Sequence, residues 1–388
     1  MSISEWYDSE PMRQARLAMF NQQKNKFCSR CYLEEQYVNT SRRHRSLQKS
    51  VIFVRDNFDE SYLQSPGYNK FSRSSISGAY SELPIDLHID LGNYCNLTCK
   101  MCNAQSSSSI AVQEVKWGRL DAQQYVGTNW TRDDQVWNRT INDIATIDKL
   151  ANIHFMGGET LITSRFEDFV DRMIELNRTN IGLSFVTNGT VFNQRLLDKL
   201  SKFKRVGIEI SIESLTEHNS YQRQGTNTAQ VLENIQRYLD FCNNTDISVT
   251  VRPAISALTV GTYYTLLEYC LKNKLLVKSL IVGTPAFLNP TVLPYAVRQQ
   301  YLSNYQKLDQ ELDVTNSRDY NESDPNSYVK VIKDQVTRVI NLLNSSVPFD
   351  QVKFKQLVDH CQRWDQGHGY NAVDLYPELA EYLVDHGY

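Results

Sequence analysis

Six short apolar runs, each followed by an amphipathic helical pattern or a turn, constrain this chain more than any other feature. They read IDLHIDLG (85–92), ANIHFMGG (151–158), IGLSFVTNG (181–189), RVGIEISIE (205–213), DISVTVRPAI (246–255) and LVKSLIVGT (276–284). Helical stretches such as SRFEDFVDRMIELN (164–177) and TAQVLENIQRYLDFC (228–242) lie between them. Strands that alternate with helices pair in parallel through right-handed crossovers. Six such units predict an α/β fold, a partial (β/α)6 barrel of the TIM type, with an open doubly wound sheet as the alternative. No Gly-x-Gly-x-x-Gly follows the first run, which weakens a dinucleotide-binding reading. In either arrangement a site belongs at the carboxyl ends of the strands.

The rest of the chain divides around that series. Residues 1–83 form a small cysteine-containing segment and a polar linker, residues 84–285 the barrel, and residues 286–388 a helical region. The connection over 104–149 is long and carries Trp117, Trp130 and Trp137, so it is expected to be functional or to have structure of its own. The net charge of -3 shows no global basic excess, which argues against nucleic acid as a partner. The opening MSISEWYDSEPMRQ has no apolar signal core, and no apolar run is long enough to span a bilayer. A cytoplasmic protein is expected.

There are eight cysteines, and in a reducing compartment clustered thiols bind metal or do redox chemistry more often than they pair. Cys242 and Cys270 sit in helical patterns and read as small buried apolar side chains. Cys95, Cys99 and Cys102 crowd one loop just past the first strand. Three thiolates can hold three irons of a [4Fe–4S] cluster and leave the fourth open to a small molecule. A zinc site completed by a distant ligand, or three structural thiols, are the alternatives.

Here the residues resemble a family. CNLTCKMC (95–102) looks like the signature of the radical S-adenosylmethionine (SAM) enzymes. MGGE (156–159) resembles the family's Gly-Gly-Glu motif, which implies that Gly157, Gly158 and Glu159 hold the amino group of SAM. TNG (187–189), with Asn188, ends strand three as in many members. Ser211, at the end of strand four, and Arg223, in YQRQGT, stand where one subgroup binds the SAM ribose and carboxylate. Glu213 is a pocket candidate. Met101 takes the place of an aromatic residue that often lies against adenine, a departure from the pattern. The resemblance implies that a reduced cluster cleaves SAM to a 5′-deoxyadenosyl radical, which abstracts hydrogen from a substrate. It also implies an electron donor such as flavodoxin or ferredoxin. A radical this reactive requires a closed, dry site, and the 104–149 connection and the C-terminal region are candidate lids.

Cys28 and Cys31 lie in FCSRCYLEEQYVNTSRRHR (27–45), which resembles the Cys-x-x-Cys stretch of the subgroup with an N-terminal twitch, or SPASM-like, domain. PAFLNPTVLP (285–294) and HCQRW (360–364) with YPEL (376–379) look like that subgroup too. The resemblance implies a peptide or protein substrate and a second iron–sulfur cluster. Two thiols are too few for one, so Cys361, His360 or a second chain would have to add ligands; a zinc knuckle and a metal-free pair are the alternatives. Beside the enzyme reading stand an iron–sulfur electron-transfer or binding protein without SAM turnover, and a radical SAM enzyme acting on a small molecule or RNA. The sequence names no catalytic acid, base or radical relay.

Overall fold

The computed structural model describes residues 2–21, 23–29, 31–32, 84–122, 129–243, 245–314 and 327–388. The basic run at 41–45 and the linker at 46–83 lie outside the described residues. Contacts divide the chain into two units, the N-terminal residues through Ile85 with Gln135–Leu150, and Asp86–Asp134 with Ala151–Tyr388.

In the first unit, α1 (Ile3–Tyr7) opens on a capping box formed by Ser2 and Glu5, and α2 (Glu10–Phe20) follows. Cys28 ends a turn of 3-10 helix over Lys26–Cys28, held by the Asn25 side chain, which accepts from Phe27 N at 2.9 Å. Helix α4 (Asp134–Ala145) buries Trp137, Ile141 and Ile144 at the apolar spacing of an amphipathic helix.

The second unit is an α/β structure around a six-stranded parallel sheet. Strands β1 (Asp86–Asp90), β2 (Asn152–Met156), β3 (Gly182–Thr187), β4 (Arg205–Ile210), β5 (Ile247–Val251) and β7 (Leu276–Val277) lie in the order β1-β2-β3-β4-β5-β7. The helices between them are α3 (Ser108–Lys116), α5 (Ser164–Glu175), α6 (Gln194–Leu200), α7 (Glu217–Gln222), α8 (Thr228–Cys242) and α9 (Tyr263–Lys272). Among the described residues the sheet does not close, as in a partial barrel.

The sixth run, expected over 276–284, is divided. Its second half is β8 (Leu280–Ile281), which pairs with β6 (Ala254–Ile255) in a separate two-stranded sheet. The break has a simple cause. Pro253 separates β5 from β6 and has no N–H to give the ladder, although its carbonyl still accepts from Leu280 N at 2.9 Å.

Period-two alternation sets the two faces of the sheet. Ile153, Phe155, Phe185 and Ile208 are wholly buried. Phe155 meets Phe166 and Phe169 of α5, with ring centroids 5.2 and 4.8 Å apart. The residues between them point to the opposite, concave face. In register across the sheet these are His88, His154, Ser184, Gly207 and Ser248, then Asp90, Met156, Val186, Glu209 and Thr250.

After the sheet come α10 (Tyr295–Val314), α11 (Tyr328–Leu343), α12 (Gln351–His368), α13 (Ala372–Leu375) and α14 (Ala380–Asp385). Among the described residues no helix is long and apolar enough to cross a membrane.

Candidate active site

The three cysteines lie on the loop between β1 and α3, at the carboxyl end of the sheet. Residues that follow them fix its shape. Ser107 caps α3 and donates to Leu97 O at 2.7 Å, and Ser109 donates to Cys95 O at 2.6 Å. The Asn93 amide donates to Ala104 O at 2.9 Å and closes the loop on itself. The 104–149 connection also returns here: Trp130 Nε1 donates to Asp90 O at 2.7 Å and Thr131 Oγ1 to Leu91 O at 3.0 Å.

The other motifs reach this loop through a chain of hydrogen bonds. Glu159 N donates to Tyr94 O at 2.8 Å. The Glu159 carboxylate accepts from Thr187 Oγ1 (2.7 Å), Asn188 N (2.6 Å) and Leu161 N (3.0 Å). The Asn188 amide donates to Asn96 Oδ1 at 2.8 Å. Ser211 N donates to Thr187 O at 2.8 Å. Arg223 lies in a fork on Glu213, with Nε and NH2 each 2.6 Å from a carboxylate oxygen, and its NH1 is 3.9 Å from Cys99 Sγ. Lys100 N to Gln222 O (2.8 Å) and Thr98 N to Gln224 O (3.0 Å) close the circuit back to the cysteine loop. Met101 is half-buried on the same loop.

Gly157 and Gly158 have positive φ, +102° and +48°. A Cβ on Gly158 would stand 2.1 Å from Tyr94 O, and one on Gly157 would stand 2.0 Å from Asp90 Oδ1. The glycines therefore let the turn after β2 lie against the backbone that leads into the cysteines. Gly158→Ala is expected to displace that backbone and destabilise the fold by about 1–3 kcal/mol. A urea midpoint equal to that of wild type would contradict this packing.

Glu159 is 1% exposed, and all three of its bonds are made inside the protein, where it ties β2 to β3. Burial raises its pKa against the lowering effect of those hydrogen bonds. Burial also opposes the charge of Arg223. Glu213 and the thiols of Cys99 and Cys102 outweigh it and hold the guanidinium pKa above its ordinary value.

Burial pushes the Cys95 thiol up to about 11, with the Leu97 N–H opposing and the charges of Glu159 and Cys102 adding. Cys99 and Cys102 are raised as well, by burial first, and Arg223 opposes the rise at both. Left alone these thiols stay protonated. A multiply charged metal group would reverse that, because a bound cation is the largest local charge and ligates thiolate. Among the described residues no three His, Cys, Asp or Glu side chains converge on a single metal-ion position. The fit of this loop to a cluster therefore rests on its three thiols, the Leu97 N–H aimed at Cys95 Sγ (3.5 Å) and the Arg223 cation beside Cys99.

Cys270 is fully buried in α9, and Cys242 is only half-buried at the end of α8. Cys28 and Cys31 belong to the N-terminal unit and are half-buried. His360 and Cys361 are engaged within the barrel unit. His360 Nε2 lies 3.0 Å from Lys100 O, and Cys361 is 1% exposed.

Burial holds the His360 imidazole neutral and pushes its pKa down to about 3 from 6.5, against the hydrogen bond to Lys100. The unfolded chain takes up this proton below 6.5, while the folded chain resists until about 3. Stability is intact above that window and is lost as pH falls through it, by about 1.4 kcal/mol per unit at most. Urea denaturation of cluster-free protein is expected to show this slope, and His360→Gln to flatten it. An unchanged slope in the variant would contradict the assignment.

The sequence reading missed the polar floor of the concave face. His154 Nδ1 is 2.8 Å from Ser184 Oγ, and the His88 and His154 rings meet edge to face at 5.1 Å. Glu209 pairs with Arg252 and, at 3.3 Å, with Lys278. The signal was present in the alternate positions of LHID, NIHFM, GLSFV and GIEI.

A parallel, unclosed βα sheet with a three-thiol loop after its first strand defines an α/β partial barrel of the TIM type. Residues 89–254 match the family model described as the Radical SAM superfamily. No curated protein matches the chain. Among solved structures, native anSMEcpe with bound AdoMet is similar at 17% identity, over 61% of this chain and 63% of that one, with a TM-score of 0.44. Streptococcus suis SuiB bound to precursor peptide SuiA is similar at 13% identity, over 78% and 64%, with a TM-score of 0.42. The chain thus spans less than two thirds of the length of either. Neither likeness bears on activity or substrate.

Proposed function

We propose that the protein is a radical SAM enzyme whose Cys95, Cys99 and Cys102 hold a [4Fe–4S] cluster and whose substrate is a peptide or protein. The observation that carries this reading is the hydrogen-bonded circuit that joins the cysteine loop to the ends of β2, β3 and β4. Held by Cys95, Cys99 and Cys102, the cluster would supply one electron for the reductive cleavage of SAM, and the resulting radical chemistry would remove a hydrogen atom from the substrate.

The residues of the chain have separable tasks. Arg223, forked on Glu213, offers a buried cation to the SAM carboxylate, and Ser211 offers a hydroxyl to the ribose. The Gly157–Glu159 turn is assigned to the SAM amino group, while the Glu159 side chain holds that turn to β3. Asn188 ties the end of β3 to the cysteine loop, and Met101 packs on adenine. Helix α12 packs on the loop through His360, whose Nε2 lies 3.0 Å from Lys100 O. A one-electron donor such as flavodoxin or ferredoxin is the partner this chemistry needs. All eight cysteines are free, which supports a reducing, cytoplasmic setting.

Cys28 and Cys31 supply two thiols, too few for a cluster of their own. About four irons per chain are therefore expected. A count near eight would assign a second cluster to that pair. The test of function is anaerobic reconstitution with iron and sulfide, reduction, addition of SAM and mass spectrometry for 5′-deoxyadenosine. The nucleoside is expected, with methionine in equal amount. Intact SAM in an iron-loaded, reduced sample would overturn the reading in favour of an electron-transfer protein.

A further inference from the structure

We propose that Lys100, which directly follows cluster ligand Cys99, raises the reduction potential of the cluster, and that Asp365 of α12 moderates it. The proposal rests on the cysteine triplet holding a [4Fe–4S] cluster.

Lys100 is 1% exposed, which is unusual for a lysine. Its ammonium donates to Tyr221 O at 3.0 Å and lies 3.7 Å from the centroid of the Tyr221 ring. The nearest carboxylate oxygen, Asp365 Oδ1, is 3.8 Å away, beyond hydrogen-bond reach. Asp365 Oδ1 has no hydrogen-bond partner at all. The other oxygen, Oδ2, accepts from Tyr221 Oη (3.1 Å), Ala372 N (2.9 Å) and the Tyr388 hydroxyl. Its three donors draw the carboxylate charge away from Lys100.

Arg223, whose NH1 is 3.9 Å from Cys99 Sγ, is a second buried cation, while Lys100 follows Cys99 directly in the chain. Arg223 is cancelled by two contacts of 2.6 Å to Glu213. Lys100 has one counter-charge at 3.8 Å and is therefore the less compensated of the two. Adding an electron to a buried cluster adds negative charge to a region of low dielectric. A cation only partly compensated stabilises the reduced form, and net charge is one of the levers that set the potential of such clusters. The α12 helix holds this arrangement from the far side, with His360 Nε2 on Lys100 O and Asp365 on the ammonium.

The test is a redox titration of the reconstituted protein without SAM, followed by EPR of the reduced cluster, with iron counted in each sample. Lys100→Met is expected to shift the midpoint to more negative potential, and Asp365→Asn to shift it to more positive potential. Tyr388→Phe frees part of the Asp365 charge and is expected to shift it to more negative potential. A purely structural role gives no such opposition of sign. Should Lys100→Met fail to retain iron, Asp365→Asn and Tyr388→Phe still decide the matter through their opposite shifts. Midpoints equal to wild type in iron-loaded variants, or shifts of one sign throughout, would overturn the proposal. A wild-type protein that assembles no cluster would instead overturn the proposed function, and the two failures are thereby distinct.

Discussion

Replacing Cys95, Cys99 or Cys102 with Ala is expected to abolish iron retention and, with it, 5′-deoxyadenosine formation down to the background of a no-enzyme control. The three thiols sit on one loop whose path is set by Asn93, Ser107 and Ser109, so the loss of one leaves the others in place with too few ligands. Cys242→Ala is the control. That thiol is half-buried at the end of α8, and its removal is expected to leave the iron count unchanged. Iron content and nucleoside yield measured side by side check both statements. A single triplet variant with full iron and full yield would refute the assignment of that cysteine.

The second large effect concerns Arg223 and Glu213. Glu213 is wholly buried and accepts from Ala254 N at 2.9 Å as well as from both arms of the Arg223 fork. Arg223→Met removes one partner and leaves a buried carboxylate with a single donor. Breaking such a pair costs about 3–5 kcal/mol. The double variant Arg223→Met with Glu213→Leu removes both charges and is expected to recover most of that loss. Urea midpoints of the two variants measure this directly. The single variant also removes the cation offered to SAM, so its SAM affinity is expected to fall while the double variant stays equally weak. Stability recovered without affinity separates the structural task of the pair from its binding task. A single variant within about 1 kcal/mol of wild type would contradict the buried fork.

Much of this architecture was legible because it is encoded locally. The period-two runs marked every strand of the main sheet, and the spacing of Phe166, Phe169, Val170 and Met173 marked the buried stripe of α5. The cysteine loop was legible from spacing alone, and the serine that caps α3 after it is a local signal that was available. The division of the sixth strand follows from Pro253, a residue of the neighbouring strand, and is invisible in the run itself. Glu159 is a further case. Its type fits a ligand-binding carboxylate, yet its bonds to Thr187 and Asn188 depend on the register of β2 against β3, which no local pattern states. Lys100 and Asp365 lie at opposite ends of the unit in sequence and meet only because α12 packs on the cysteine loop. The concave-face residues His88, His154, Ser184 and Glu209 were legible in principle, as the alternate positions of strands whose other residues are apolar.

The central claim is that three cysteines hold a cluster with one iron open to SAM. The most direct measurement is the EPR spectrum of the reduced, reconstituted protein recorded before and after addition of SAM. A change in the signal on addition of SAM, absent when Arg223→Met is used at the same SAM concentration, is the predicted result. An iron-loaded protein whose reduced spectrum is identical with and without saturating SAM would contradict the account.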